Sequence, residues 1–245
     1  MTLMAIIGGT GLTRLPDLTI VRRERITTPY GDPSSELVFG HFHQQELVFL
    51  ARHGNPHIIP PHKINYRANI WALKEAGAAS ILAIAAVGGI RADMVPGKIA
   101  VPNQIIDYTY GRPHTFFETD LELVTHVDFT HPYSPWLREK ILTAAQVAGV
   151  SIIDDGVYGC TQGPRLETAA EINRMERDGC DLVGMTGMPE AALARELGID
   201  YACCAVIANW AAGKTAAEIT MMEIEANLVA GMADLTSILR HFVQA

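Results

Sequence analysis

The sequence predicts an α/β domain, and three features carry that prediction. Short apolar runs rich in β-branched residues alternate with longer stretches whose apolar residues recur with a helical period. Several of the runs end in glycine or alanine, as in Gly8-Gly9-Thr10-Gly11-Leu12 and Ala85-Ala86-Val87-Gly88-Gly89. The 245 residues hold no Pro/Ser-rich linker and no break in composition, so 1–245 reads as one domain. A single core at this length buries about three quarters of the unfolded chain's surface.

Along the chain, strands are expected at 4–7, 36–40, 46–51, 80–86, 99–107, 156–161, 181–185 and 201–208, each a short apolar run. Helices are expected between and after them, at 65–76, 134–148, 168–178, 189–197 and 216–242. The last keeps a helical period through Ile219, Met222, Leu228, Met232, Leu235 and Leu239, which would lay it along the sheet. The stretches 52–62 and 112–135 are rich in His and Pro and read as loops. Loops at strand ends are where an α/β scaffold builds its sites.

Composition excludes several classes of function. The formal charge is −8 and the basic residues are scattered, so no electrostatic stripe awaits a nucleic acid. No apolar run approaches the ~20 residues of a membrane span. Cys160, Cys180, Cys203 and Cys204 have no CxxC spacing, and Met1-Thr-Leu-Met-Ala5 lacks the pattern of a secretion signal. A reducing cytoplasm is the expected location.

Six segments have residue types suited to chemistry. Gly8-Gly9-Thr10-Gly11-Leu12 is a tight turn or a small-anion cradle, with the Thr10 hydroxyl as an added donor. It is not a dinucleotide fingerprint, because Arg14 stands where one begun at Gly9 needs glycine, nor a P-loop, because no Gly-Lys-Ser/Thr follows. Arg52-His53-Gly54 offers a forked cation and an imidazole, for phosphate or for a solvated surface. His53, His57 and His62 lack an acidic co-ligand, and Pro56, Pro60 and Pro61 break any helix that would align them, so no metal is expected. Ala85-Ala86-Val87-Gly88-Gly89 lets a ligand approach the backbone or is an ordinary strand exit. Gly163-Pro164-Arg165-Leu166-Glu167-Thr168 and Gly184-Met185-Thr186-Gly187-Met188-Pro189-Glu190 lie at strand-to-helix junctions, where Glu167 and Thr168 face a cleft or start a helix. Asn209 is a turn residue or a reader of a planar heterocycle, since its amide presents donor and acceptor side by side.

In this order the segments resemble the trimeric purine nucleoside phosphorylase and 5′-methylthioadenosine phosphorylase family over nearly the whole chain. The strongest stretches are 6–12, 51–54, 63–75, 163–165, Glu171 and 184–190. The resemblance implies a single-domain nucleoside phosphorylase fold with a mixed central β-sheet flanked by helices. It also implies a homotrimer, with pairing of trimers left open, and inorganic phosphate as co-substrate without any cofactor. It places phosphate on Thr10, Arg52, His53, the Ala85-Ala86 backbone and Thr186, with Ala85 standing where the methylthioadenosine branch has Thr. Ribose would lie on Met185, with His57 and His126 of the partner subunit near the sugar and its 5′ group.

At the base, the adenosine-type branch has aspartates where this chain has Asn209 and Ala211. An amide can donate to a 6-oxo group and accept from a protonated N7. Glu167 can accept from N1–H of hypoxanthine but meets a lone pair on N1 of adenine. Leu166 replaces an aromatic residue against the base. The expected substrate is a 6-oxopurine nucleoside, with Asn209 and Glu167 as the catalytic residues.

At the 5′ end the stretch 215–222 lacks the His that 6-oxopurine enzymes of the family set against a 5′-hydroxyl. Ala216, Ile219, Met221 or Met222 would form an apolar wall suited to a methylthio group, or serve only as helix core. The expected reaction is therefore phosphorolysis of a 5′-methylthio-6-oxopurine nucleoside. The alternatives are a general inosine/guanosine phosphorylase, a methylthioadenosine phosphorylase and a non-catalytic purine-binding protein.

Overall fold

The computed structural model describes residues 3–9, 17–43, 45–119 and 121–244. Its frame is a ten-stranded mixed sheet of β1 (Leu3–Gly8), β2 (Leu18–Glu24), β3 (Leu37–Phe42), β4 (Gln45–Ala51), β5 (Ala78–Gly89), β6 (Ile99–Ala100), β7 (Gln104–Asp107), β8 (Val157–Cys160), β9 (Leu182–Gly184) and β10 (Asp200–Trp210). The helices are α1 (Tyr66–Glu75), α2 (Pro135–Ala148), α3 (Ala169–Arg177), α4 (Gly187–Glu196) and α5 (Met221–Phe242).

β4, β1, β5 and β10 lie side by side and parallel, and β3 and β2 extend the β4 edge antiparallel. The central strands are buried on both faces, which is why they read as continuous apolar runs rather than alternating ones. One face, with Ala5, Ile7, Ile81 and Ala83, packs on Ile70 and Leu73 of α1 and Leu193 and Ala194 of α4. The other, with Met4, Ile6, Leu82 and Ile84, packs on Leu137 and Ile141 of α2 and Leu235, Ile238 and Leu239 of α5. No helix among the described residues is long and apolar enough to cross a membrane.

Three elements differ from expectation. β2 was not anticipated: it is an edge strand, exposed along most of its length, so its Leu-Thr-Ile-Val-Arg-Arg-Glu carries no burial pattern. The run expected as one strand at 99–107 is β6 and β7, interrupted around Pro102, which has no N–H for a ladder. The last helix begins only at Met221, because the Thr220 side chain accepts from the Glu223 N–H and caps it there. Ile219 therefore lies outside the helical period to which it was assigned.

One feature of the sheet positions the site. β1 pairs with β5 only as far as Ala83, and β9 joins the same edge of β5 from Gly88 onward. Between them, residues 84–87 have no strand partner on that edge among the described residues. Within this stretch lies Ala86, a residue exposed within a strand otherwise buried almost throughout.

Candidate active site

The gap beside β5 is bordered by three chain segments. On one side β1 ends at Gly8 and β4 leads into Arg52 and His53, the Arg52 N–H donating to Gly8 O at 2.9 Å. On the other, β9 runs antiparallel to β5, so the chain beyond Gly184 carries Met185 and Thr186 back alongside the gap. The backbone of Ala85 and Ala86 forms its floor, where an anion can meet main-chain N–H groups. Thr186 is buried at the head of α4 as its N-cap, with no side-chain bond into the helix, at the positive end of the helix dipole. Thr10 lies outside the described residues.

Arg52, expected at the phosphate, is held largely by an ion pair. Its side chain is only 2% exposed and closes on Glu190 of α4 as a fork, Nε to Oε2 at 2.7 Å and Nη2 to Oε1 at 2.8 Å. Nη1 donates to Ile84 O at 2.8 Å and Nη2 to Ile7 O at 3.2 Å, so four of its N–H donors point inward. At most one Nη1–H remains for an anion. Burial works against the guanidinium charge, but Glu190 more than offsets this and the pKa is raised. The Tyr201 hydroxyl completes the buried network by donating to Glu190 Oε1 at 2.8 Å.

His53 is also not the simple donor expected. Its Nδ1–H donates to Ile59 O at 2.8 Å, and its ring stacks on His57 with centroids 4.3 Å apart. Burial lowers its pKa to about 4, with Arg52 and His57 acting in the same direction. A neutral ring with its proton on Nδ1 presents a lone pair at Nε2.

Of the residues expected to read the base, Asn209 lies across β5 from the gap, on β10, and Glu167 lies beyond β9 on the gap's own side. Asn209 ends β10 opposite Gly88 and is 8% exposed. Its Nδ2 donates to Trp210 O at 2.7 Å, which orients the amide and leaves Oδ1 and a second N–H. Glu167, in the loop after β8, accepts from the Thr161 hydroxyl at 2.6 Å through Oε1. Leu166 beside it is exposed. Met185 is half-buried against Gly163, where a Cβ would collide with its Sδ. Ala211, expected beside the base, is buried in a small core with Ile172, Met175 and Val183, against Gly88.

Arg112 was missed by the sequence reading, which saw only an irregular His/Pro-rich stretch. It is buried, and none of its hydrogen bonds goes to a carboxylate. Nη1 donates to Met185 O at 2.9 Å and also reaches Met188 O and the Tyr66 hydroxyl, while Nη2 donates to Thr161 O at 3.1 Å and Gln162 O at 2.8 Å. One guanidinium thus ties the loop carrying Glu167 to the loop carrying Met185 and Thr186.

The residues expected around the sugar's 5′ group are open to solvent. Ala216 and His57 are exposed, Ile219 is half-buried, and Met221 and Met222 are 66% and 79% exposed at the start of α5. His126 is exposed in a stretch that also presents Leu123 and Val124, 83% and 74% exposed.

Comparison with known proteins gives consistent matches. A family model described as the phosphorylase superfamily matches residues 4–244. The chain is 58% identical over 245 residues, 100% of both proteins, to a probable S-methyl-5′-thioinosine phosphorylase of Pseudomonas syringae pv. tomato. It is 46% identical over 229 residues, 91% of this chain and 85% of the relative, to the 6-oxopurine nucleoside phosphorylase of Pyrococcus furiosus. A solved structure of methylthioadenosine phosphorylase from Schistosoma mansoni, in complex with adenine, matches with a TM-score of 0.94 at 32% identity, covering 100% of this chain and 91% of that one.

Proposed function

We infer the function from one premise: the chain belongs to the phosphorylase superfamily, as an enzyme of the purine nucleoside phosphorylase type. The reaction is phosphorolysis of S-methyl-5′-thioinosine to hypoxanthine and S-methyl-5-thioribose 1-phosphate. The full-length relative named for that activity supports this reading, as does the chemistry of the base side.

Phosphate occupies the gap beside β5, over the Ala85-Ala86 backbone, with Thr186 and the remaining N–H of Arg52 around it. Its oxygen bonds to C1′ as the C1′–N9 bond breaks. The electron pair passes into the purine, which takes a proton at N7 from solvent. Asn209 Oδ1 accepts from N7–H and its second N–H donates to O6, while Glu167 accepts from N1–H. Stabilising the departing base in this way, and holding the anion in line, supply the catalysis.

The observation that carries the choice of base is the pairing of an oriented amide with an oriented carboxylate, each keeping an acceptor atom after its internal hydrogen bond. Adenine would leave both partly unpaired, a mismatch that discriminates by about 10⁴-fold. The exposed methionines at 221 and 222 favour a methylthio over a hydroxyl group at the 5′ end. The exposed apolar side chains at 123 and 124 support a homotrimer in which His126 reaches the site of the partner subunit. Sedimentation as a monomer would overturn the trimer.

The test of substrate compares phosphorolysis of methylthioinosine, methylthioadenosine and inosine under one set of conditions. Methylthioinosine should have the highest kcat/KM. Faster turnover of methylthioadenosine would sink the base assignment, and faster turnover of inosine the 5′ assignment. Asn209→Asp should shift preference towards 6-aminopurines, most strongly with Glu167 also replaced.

A further inference from the structure

The Glu167 carboxylate has a single hydrogen bond among the described residues, from the Thr161 hydroxyl at 2.6 Å. That hydroxyl has one proton and a second acceptor in reach, Gly184 O at 3.3 Å. The shorter distance and the charge-assisted character of a carboxylate acceptor assign the proton to Glu167. The end of β8 does not need the hydroxyl, because the Thr161 backbone N–H already donates to Gly184 O at 2.8 Å. The backbone of Thr161 is also held by Arg112, whose Nη2 donates to its carbonyl at 3.1 Å. A fixed backbone therefore carries a hydroxyl whose chief partner is a loop carboxylate with no other hydrogen bond among the described residues.

We infer that Thr161 is a positioning residue for base recognition: its hydroxyl takes Oε1 of Glu167 and so presents Oε2 to N1–H of a 6-oxopurine. The inference rests on the reading of Glu167 as the partner of the base. Without the hydroxyl the side chain of Glu167 is free among its rotamers, and the acceptor for N1–H is no longer set in advance. Thr161 itself touches no substrate. It acts on the base and leaves the phosphate side unaffected.

The test is a double-mutant cycle on the full chain, with steady-state phosphorolysis of methylthioinosine and thermal unfolding of each variant. Thr161→Val should lower kcat/KM for the nucleoside about ten- to a hundredfold, the size of one hydrogen bond to a charged group. The KM for phosphate and the Tm should stay near those of the parent. Thr161→Ser, which keeps the hydroxyl, should restore most of the activity. In a Glu167→Ala background, Thr161→Val should cost nothing further.

Full activity of Thr161→Val beside an impaired Glu167→Ala would overturn this inference alone and leave the reading of Glu167 intact. An undiminished loss from Thr161→Val in the Glu167→Ala background would also overturn it, since the hydroxyl would then act elsewhere. Full activity and unchanged base preference in Glu167→Ala would overturn both.

Discussion

The two ends of the site are built differently. At the proposed phosphate end the side chains are buried and cross-linked: Arg52 is closed on Glu190, Glu190 accepts from Tyr201, and Arg112 holds four carbonyls. At the proposed 5′ end, Met221 and Met222 stand in solvent. The first arrangement has a fixed geometry and no spare freedom. The second is apolar surface awaiting a cover. A divalent anion must be met by dipoles that do not have to reorganise, whereas a thioether asks only for polarizable contact. On the proposed reading, a single chain preforms the anion end and leaves the sugar end open.

The strongest way to break this contrast is to unpair the buried ions. Glu190→Ala strands the Arg52 guanidinium, 2% exposed, without its carboxylate and should cost about 3–5 kcal/mol of stability by urea denaturation. A loss below about 1 kcal/mol, the worth of an exposed pair, would show that the phosphate end is not the rigid one.

Next in size is the clamp. Arg112→Lys keeps the charge but not the fork, and should lower kcat/KM by about 10²-fold through misplacement of the loops it ties. Unchanged kinetics would mean that the loops hold their own positions.

At the 5′ end the expected effects are smaller and confined to selectivity. Met221→Ser with Met222→Ser should reduce the preference for methylthioinosine over inosine about tenfold. Stability should move by no more than about 0.5 kcal/mol, as befits exposed side chains. A large loss of stability in this variant would erase the distinction between the two ends.

The phosphate side also carries a pH dependence. His53 has a pKa of about 4 in the fold against 6.5 when unfolded, so the fold favours its neutral form. Its contribution to stability is complete above about pH 6.5 and is lost as the pH falls from there through 4. Denaturation at pH 7.5 and pH 5 should show the parent losing more than His53→Gln over that interval; equal losses would place the imidazole in solvent.

Much of the fold could be read from the chain. The parallel core strands and the five helices announced themselves through apolar content and period, and most boundaries fell within a few residues. The exceptions share a cause. β2 is exposed on an edge, the break at Pro102 is a missing donor, and the late start of α5 is set by one capping bond at Thr220. Burial pattern, the main signal in a sequence, is silent about each of these.

The site was legible as a set of segments and less so as a set of contacts. Asn209, Glu167, Thr186 and the Ala85-Ala86 backbone stood out as candidates because each lies near the end of a strand or the start of a helix, among small residues. The sequence by itself determined the α/β class, the order of the junctions and the residue types at the base. Only the tertiary structure decided that Arg52 turns inward to Glu190, that Ala211 is core, and that Thr161 and Arg112 hold the two loops. The physical reason is that partner choice depends on which distant segments meet. Arg52 and Glu190 are 138 residues apart in the chain, and a guanidinium on a strand end serves an anion or a buried carboxylate equally well until the fold brings one of them within reach.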